Sequence, residues 1–334
     1  MPQISFYVPA KAMLFGEYGV LYSGRAIALT FYQHTFHIDI HLQPTQSDGK
    51  VTVKSSFFTE NPLEFKLTES LNSKDNRDLN FFKNLLFPWK QNLQNKDLQI
   101  EIKNSFNPDL GFGSSSALIA GISKGLWLLL FNEKDFMNNE EFWKAVRESL
   151  NCIQGSGSCY DVAVQLAASQ ENIPFDKTQL WLFQNRQESS IPIIENFTLS
   201  DSIENYGFFI KTRVYSDTSK IVKGFQSQEN REKHASEHAL LADKFIEDSS
   251  LLNTIYLMKM SLEIAQRQNL LPRNNLNLNI LLDKLNDMQI PYKTMGAGHG
   301  DCLWVLYDKN KFIKDFKIND SDIPFAFTTN GQAK

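Results

Sequence analysis

Between residues 111 and 116 the chain reads Gly-Phe-Gly-Ser-Ser-Ser, and it then runs directly into the apolar stretch "ALIAGISKGLWLLL". Gly111 and Gly113 permit backbone conformations that a Cβ disfavours. Ser114, Ser115 and Ser116 supply hydroxyls where a helix N-cap is expected. The first N–H groups of a helix have no partner within it, and the helix dipole favours an anion there. A glycine-serine turn opening a buried helix is therefore the physical recipe for a phosphate cradle. Two further glycine-rich turns occur in the chain. "QGSGSCYDVAVQLAASQ" opens a helix of small residues, and "TMGAGHGDCLWVLYD" runs into a strand.

The elements around these turns follow from periodicity. "ISFYVPAKAMLFG" reads as a strand leading to a turn at Gly16, and "AIALTFYQHTFHIDIHLQ" alternates with the period of a strand. In the latter, Phe36, Ile38 and Ile40 share one face while His37, Asp39 and His41 share the other, a solvated face rather than a metal site. "KVTVKSS" and "LEFKL" read as short strands, "NRDLNFFKNLLFPWKQNL" as a helix, and "DLQIEIKNSF" as a strand ending at the first glycine-rich turn. Residues 230–268 read as two polar-faced helices. His234 and His238 fall on one helix face there and, with no third ligand in view, read as surface histidines. "NLNILLDKLNDMQIPYK" reads as an amphipathic helix before the last turn.

At 334 residues the chain exceeds what one core usually serves, which predicts two domains, 1–190 and 191–334. A hydrophobic fraction of 42% and a charged fraction of 22% suit a globular protein. The net charge of −4 and the lack of a long basic run argue against nucleic acid as a partner. The N-terminal residues lack a basic and then apolar signal pattern. The apolar helix after residue 113, interrupted by Ser123 and Lys124, reads as too short to span a membrane. Cys152, Cys159 and Cys302 contain no Cys-x-x-Cys pair, so disulfides and zinc are not expected and a cytoplasmic location is.

Taken together, "PAKAMLFGEYGVLYSGRAIAL", "PDLGFGSSSALIAG" and "GAGHGDCLWVL" resemble, in order and separation, the three signature motifs of the GHMP small-molecule kinases. The resemblance runs from Pro9 to about Leu306. It implies an α+β fold of two domains, the second ferredoxin-like, with the active site in the cleft between them. It implies ATP bound by the backbone of Gly111, Phe112, Gly113, Ser114, Ser115 and Ser116, and Mg²⁺ touched by Ser115. Asp161 matches the family's substrate-side aspartate, which takes or orients the proton of the attacking hydroxyl. Lys11 matches the first-motif lysine, which lowers that hydroxyl's pKa or stabilises charge on the transferred phosphoryl. Glu17, Tyr18 and Ser158, with Gly296, Ala297 and Gly298 of the third motif, are expected around the substrate.

Within this family "GEYGVLYSGRAIAL" and "IKTRVYSDTSKIVKGF" resemble mevalonate kinases and place Thr218 near the reaction centre, whereas "GSGSCYDVA" and the acid in "GHGDC" resemble phosphomevalonate kinases. The implied acceptor is mevalonate, with 5-phosphomevalonate as the alternative, for an enzyme that is a monomer or a homodimer. A phosphorylated acceptor needs added cations, for which Lys211, Arg213, Lys220 and Lys293 are candidates. Three positions depart from the family. The glutamate that is the second Mg²⁺ ligand of mevalonate kinases falls on Leu150 here, with Glu148 two residues away as a substitute. Cys159 stands where glycine is common, and His299 interrupts the third-motif glycines. These departures keep open a non-catalytic, metabolite-binding regulator of the same fold.

Overall fold

The structure is a computed structural model. It describes residues 2–55, 61–69, 76–104, 110–155, 157–169, 178–186, 188–197, 201–212, 218–271, 275–295 and 302–327. The first part of the chain contributes β1 (Gln3–Phe15), β2 (Arg25–Pro44), β3 (Lys50–Ser55), β4 (Leu63–Lys66), α1 (Arg77–Leu86), β5 (Lys96–Asn104), α2 (Ser114–Phe131), α3 (Glu140–Gln154), α4 (Tyr160–Ala168), β6 (Thr178–Gln184) and β7 (Ile193–Phe197). The remainder contributes α5 (Asp201–Tyr206), β8 (Gly207–Lys211), α6 (Thr218–Gln226), α7 (Arg231–Glu247), α8 (Leu251–Arg267), α9 (Leu276–Asp287), β9 (Tyr292–Thr294), β10 (Cys302–Leu306), α10 (Lys309–Phe316) and β11 (Phe325–Ala326).

A seven-stranded sheet has the order β4-β3-β5-β2-β6-β7, with β1 also paired to β2. All its pairings are antiparallel except β3 with β5. β2 is its organising strand. Arg25–Phe31 pairs with β6, and Phe36–Pro44 pairs with β5. Where β2 changes partner, its pairing with β1 slips too: Pro9 lies opposite Thr35, but Ala10 lies opposite Phe31. Such a bulge bends a strand and re-aims the side chains beside it. The residue that follows it is Lys11.

The second sheet is fully antiparallel with the order β11-β8-β10-β9. In chain order this is a strand, a run of helices, two strands, a helix and a strand, the split βαβ of the ferredoxin-like fold. The protein is thus α+β, as expected.

On the apolar face of β2 the reading is realised, with Phe36, Ile38 and Ile40 fully buried, whereas on the face read as solvated His37 and His41 are half-buried and Asp39 is buried, paired with Lys103 at 3.1 Å. The apolar face lies under α2, which approaches so closely that a Cβ on Gly121 would strike Ile38 and one on Gly125 would strike Ile40. α2 has 18 residues, a mean hydropathy of 1.4 and 67% burial, so by length and composition it is sufficient to cross a membrane, contrary to the sequence reading. Its apolar surface packs instead against β1, β2, α3 and α4. Lys124 tolerates this core because its Nζ donates to Ser169 O (2.7 Å) and Ser169 Oγ (3.1 Å) at the end of α4. Burial pushes its pKa down to about 8. The two sheets are joined by aromatic rings: Phe31 stacks on Phe325 at 4.3 Å and meets Phe112 edge-on at 4.8 Å, and Phe112 lies 5.7 Å from Phe209.

Candidate active site

Lys11 is re-aimed by the bulge into the interior, where its Nζ donates to Tyr160 Oη at 2.8 Å and pairs with Asp161 Oδ2 at 3.2 Å. Both partners stand in the first turn of α4, some 150 positions along the chain. Their position is set by Cys159, the helix N-cap, whose φ of 67° is the left-handed conformation that glycine adopts freely. The family's glycine at this place has a conformational reason that survives the change to cysteine. Burial pushes the Cys159 thiol up to about 12, opposed by Arg147 and aided by Asp161. Burial alone would lower the Lys11 pKa, but Asp161 and Tyr160 outweigh it and hold the ammonium above the ordinary lysine value. Burial and Asp161 likewise raise the Tyr160 phenol.

The first glycine-serine turn is tied to the same strand. Lys11 N–H donates to Phe112 O at 3.0 Å. The Phe112 ring is buried in the aromatic joint, so only its backbone can serve a ligand. Gly111 and Gly113 have φ of 73° and 80°. The N-cap of α2 is Gly113, with no side-chain cap, so the three serines are the first helical residues rather than the cap. Ser116 Oγ donates back to Gly113 O at 2.9 Å, while Ser115 is exposed. The serines' N–H groups are first-turn groups of a helix of 18 residues, the arrangement that attracts an anion. A Cβ on Gly113 would come within 2.5 Å of Lys11 Cε, so the turn and the lysine fit together only with glycine there.

The third motif's Gly296, Ala297 and Gly298 lie outside the described residues, but both ends of that segment are fixed. Met295 N–H donates to Cys302 O at 3.2 Å, and Cys302 Sγ donates to Leu110 O at 3.5 Å. A small cleft is lined by Lys11, Leu110, Gly111, Phe112, Met295 and Cys302, so residues of the first two motifs and the flanks of the third share one concavity.

Glu17 and Tyr18 lie deeper. Lys293 Nζ donates to Glu17 Oε1, and His238 Nδ1 is 3.8 Å from Oε2. Burial would raise the Glu17 carboxyl, but Lys293 and His238 hold it below the usual value. His238 is therefore a buried residue on α7, bonded through Nε2 to Gln268 at 3.1 Å, and not the surface histidine the sequence suggested. Tyr18 stacks on Phe225 of α6 at 4.1 Å. Thr218 opens α6. Ser158 is half-buried, and its carbonyl accepts from Asn185 Nδ2 at 2.9 Å, while Asn185 Oδ1 accepts from Arg147 at 2.9 Å.

Among the described residues no three His, Cys, Asp or Glu side chains group to hold a metal ion by themselves. Glu148 is on the exposed side of α3, and Leu150 is buried and offers no oxygen. The exposed Ser115 hydroxyl at an anion-attracting turn fits magnesium brought with a triphosphate, because Mg²⁺ takes few protein oxygens and retains water.

Two residues absent from the sequence reading complete the site. Tyr160 shares Lys11 with Asp161. Gln165, fully buried, donates through Nε2 to Pro9 O at 2.9 Å and Gly113 O at 3.2 Å, tying α4 to both the bulge and the turn. A lone amide within "DVAVQLAA", one helical turn after Asp161, was the available signal.

No family model matches the chain, and no curated protein matches it by sequence. Solved structures do. The mevalonate kinase of Methanococcus jannaschii is 20% identical with a TM-score of 0.64, over 96% of each chain. The phosphomevalonate kinase of Streptococcus pneumoniae, solved with phosphomevalonate and AMPPNP, is 17% identical with a TM-score of 0.68, over 94% of this chain and 95% of that one. The galactokinase of Lactococcus lactis, solved with galactose, is 17% identical with a TM-score of 0.68, over 94% and 87%. The chain has the fold of the GHMP kinases.

Proposed function

We infer that this chain is an ATP-dependent kinase that transfers the γ-phosphoryl group to a hydroxyl of a small acid, with mevalonate as the acceptor. The observation that carries the reading is the Lys11–Asp161 pair at 3.2 Å on a strand whose next bond is to the phosphate turn, Lys11 N–H to Phe112 O. Phosphoryl transfer asks a protein mainly for positioning and electrostatic stabilisation. The α2 N-terminus holds the phosphates through backbone N–H groups. The Asp161 carboxylate pairs with Lys11 through Oδ2 and is 35% exposed, which leaves it able to orient the attacking hydroxyl and accept its proton. The Lys11 ammonium, kept protonated by its surroundings, stabilises charge on the transferred group. Magnesium, when bound with ATP at Ser115, neutralises phosphate charge.

Mevalonate is preferred to 5-phosphomevalonate on the resemblance of the segment that carries Thr218, and one of the four candidate cations for a phosphorylated acceptor is committed elsewhere. Lys293 is buried against Glu17, and Lys220 is exposed on α6. Lys211 is half-buried at the end of β8, and Arg213 lies outside the described residues. A coupled ADP-release assay with mevalonate, 5-phosphomevalonate, galactose and homoserine tests the reading. Turnover on mevalonate is expected. Turnover on galactose or homoserine alone would overturn the acceptor, and metabolite binding with no turnover on any would favour the regulatory reading.

A further inference from the structure

We propose that Tyr160 is a positioning residue for the phosphoryl transfer, holding the Lys11 ammonium so that Asp161 is not fully neutralised by it. The inference rests on the kinase reading above and adds a residue to it. An ammonium has three donors and no acceptor. In Lys11 one donor goes to Tyr160 Oη at 2.8 Å and one to Asp161 Oδ2 at 3.2 Å. The shorter bond is the one to the neutral phenol.

The ring itself is fixed. Tyr160 is the first residue of α4, buried, and 6.3 Å from Phe183 in an edge-on contact. The left-handed turn at Cys159 and the Asn185 bond to Ser158 O determine how it enters the helix. The phenol oxygen is therefore a fixed acceptor. It places the lysine between itself and the carboxylate, with one ammonium hydrogen left for an oxygen of the transferred phosphoryl group. Without that acceptor a buried donor of Lys11 loses its partner, and the ammonium closes on the one charge within reach, Asp161. The carboxylate then becomes a poorer acceptor for the substrate proton.

The test is Tyr160→Phe, which keeps the ring and removes only the oxygen. With mevalonate as acceptor, kcat is expected to fall about ten- to a hundredfold, the range set by losing a hydrogen bond to a charged group. KM for ATP should stay within about twofold, because the backbone of another turn holds the phosphates. A merely structural tyrosine would lower the melting temperature and leave the kcat of the folded fraction intact, and that outcome would overturn the proposal. A second measurement does not depend on turnover. The ¹H–¹⁵N resonance of the Lys11 ammonium, assigned by its loss in Lys11→Met, is expected to shift or broaden in Tyr160→Phe. An unmoved resonance would overturn the proposal even in an active enzyme. A shifted resonance in a protein that phosphorylates no acceptor would uphold the positioning and remove the kinase reading instead.

Discussion

Two ion pairs start from the same strand and turn, six positions apart, and they are built to opposite ends. In the Lys11–Asp161 pair the carboxylate stays 35% exposed, and Lys11 itself lines the cleft. Glu17 and Lys293 are closed in, with side chains 6% and 1% exposed, and His238 seals the far side. The first pair links strand to helix around a place where a ligand can enter. The second links the turn after β1 to β9 and, through His238, to α7. A buried charge pair is costly to assemble and more costly to break singly, because the remaining charge is left uncompensated. Burial therefore separates a pair available for chemistry from one that fastens two parts of the fold, although each is a lysine and an acid with one member in the first motif.

The largest expected effect lies in the open pair. Asp161→Asn should lower kcat on the order of a hundred- to ten-thousandfold, with ATP affinity little changed and some stability lost because the buried Lys11 keeps only Tyr160 as a partner; Lys11→Met should lower kcat alike. Steady-state kinetics beside thermal melts check this, and near-normal turnover in Asp161→Asn would reduce the carboxylate to a helix-terminal acid worth about 1 kcal/mol.

The closed pair should show the reverse. Glu17→Gln leaves Lys293 buried and unpaired, and a loss of about 3–5 kcal/mol in unfolding free energy is expected. Adding Lys293→Met should restore part of it. Urea unfolding of the single and double variants measures both. Because the Glu17 carboxyl titrates below its ordinary 4.5 in the folded protein, its contribution is fully present above that pH and is lost as pH falls through the lowered value. Urea midpoints followed downward from neutral pH should fall less steeply in Glu17→Gln than in the wild type.

Gly113→Ala probes the seam between turn and lysine. The added Cβ meets Lys11 Cε, and φ is positive, so a loss of about 1–3 kcal/mol is expected. Unlike the carboxylate variant, it should weaken ATP binding and turnover together, which isothermal titration and kinetics would separate. The smallest effect is expected at Cys159. Its thiol, pushed up to about 12, is protonated at neutral pH and takes no part in the chemistry. A thiol reagent should label the exposed Cys152 first and leave turnover unchanged; inactivation tracking modification of Cys159 in mass spectra would contradict this.

Local features were legible early because they are local. The alternation of Phe36, Ile38 and Ile40 marks a strand face wherever that strand lies. The glycines at 111 and 113 mark a turn because their backbone needs are intrinsic. The mean hydropathy of α2 marked a buried helix, but it did not distinguish a protein core from a lipid one, since both are apolar. His238 was misplaced because its exposure depends on Glu17 and Gln268, far away in sequence.

By itself the sequence determined the order of the turns, the apolar faces and the residue types offered at each motif, since backbone preference and side-chain period act over a few residues. It did not determine which charge meets which. Lys11 was read beside Asp161 only through a family resemblance, and Lys293 was read as a cation for substrate. Tertiary structure decided both: the slip in register at Pro9 turned Lys11 toward Tyr160 and Asp161, and the packing of β9 and α7 around the turn after β1 brought Lys293 and His238 to Glu17. The reason is physical. A buried charge is tolerable only with a partner, and which partner is within reach is set by strand register and the packing of sheets.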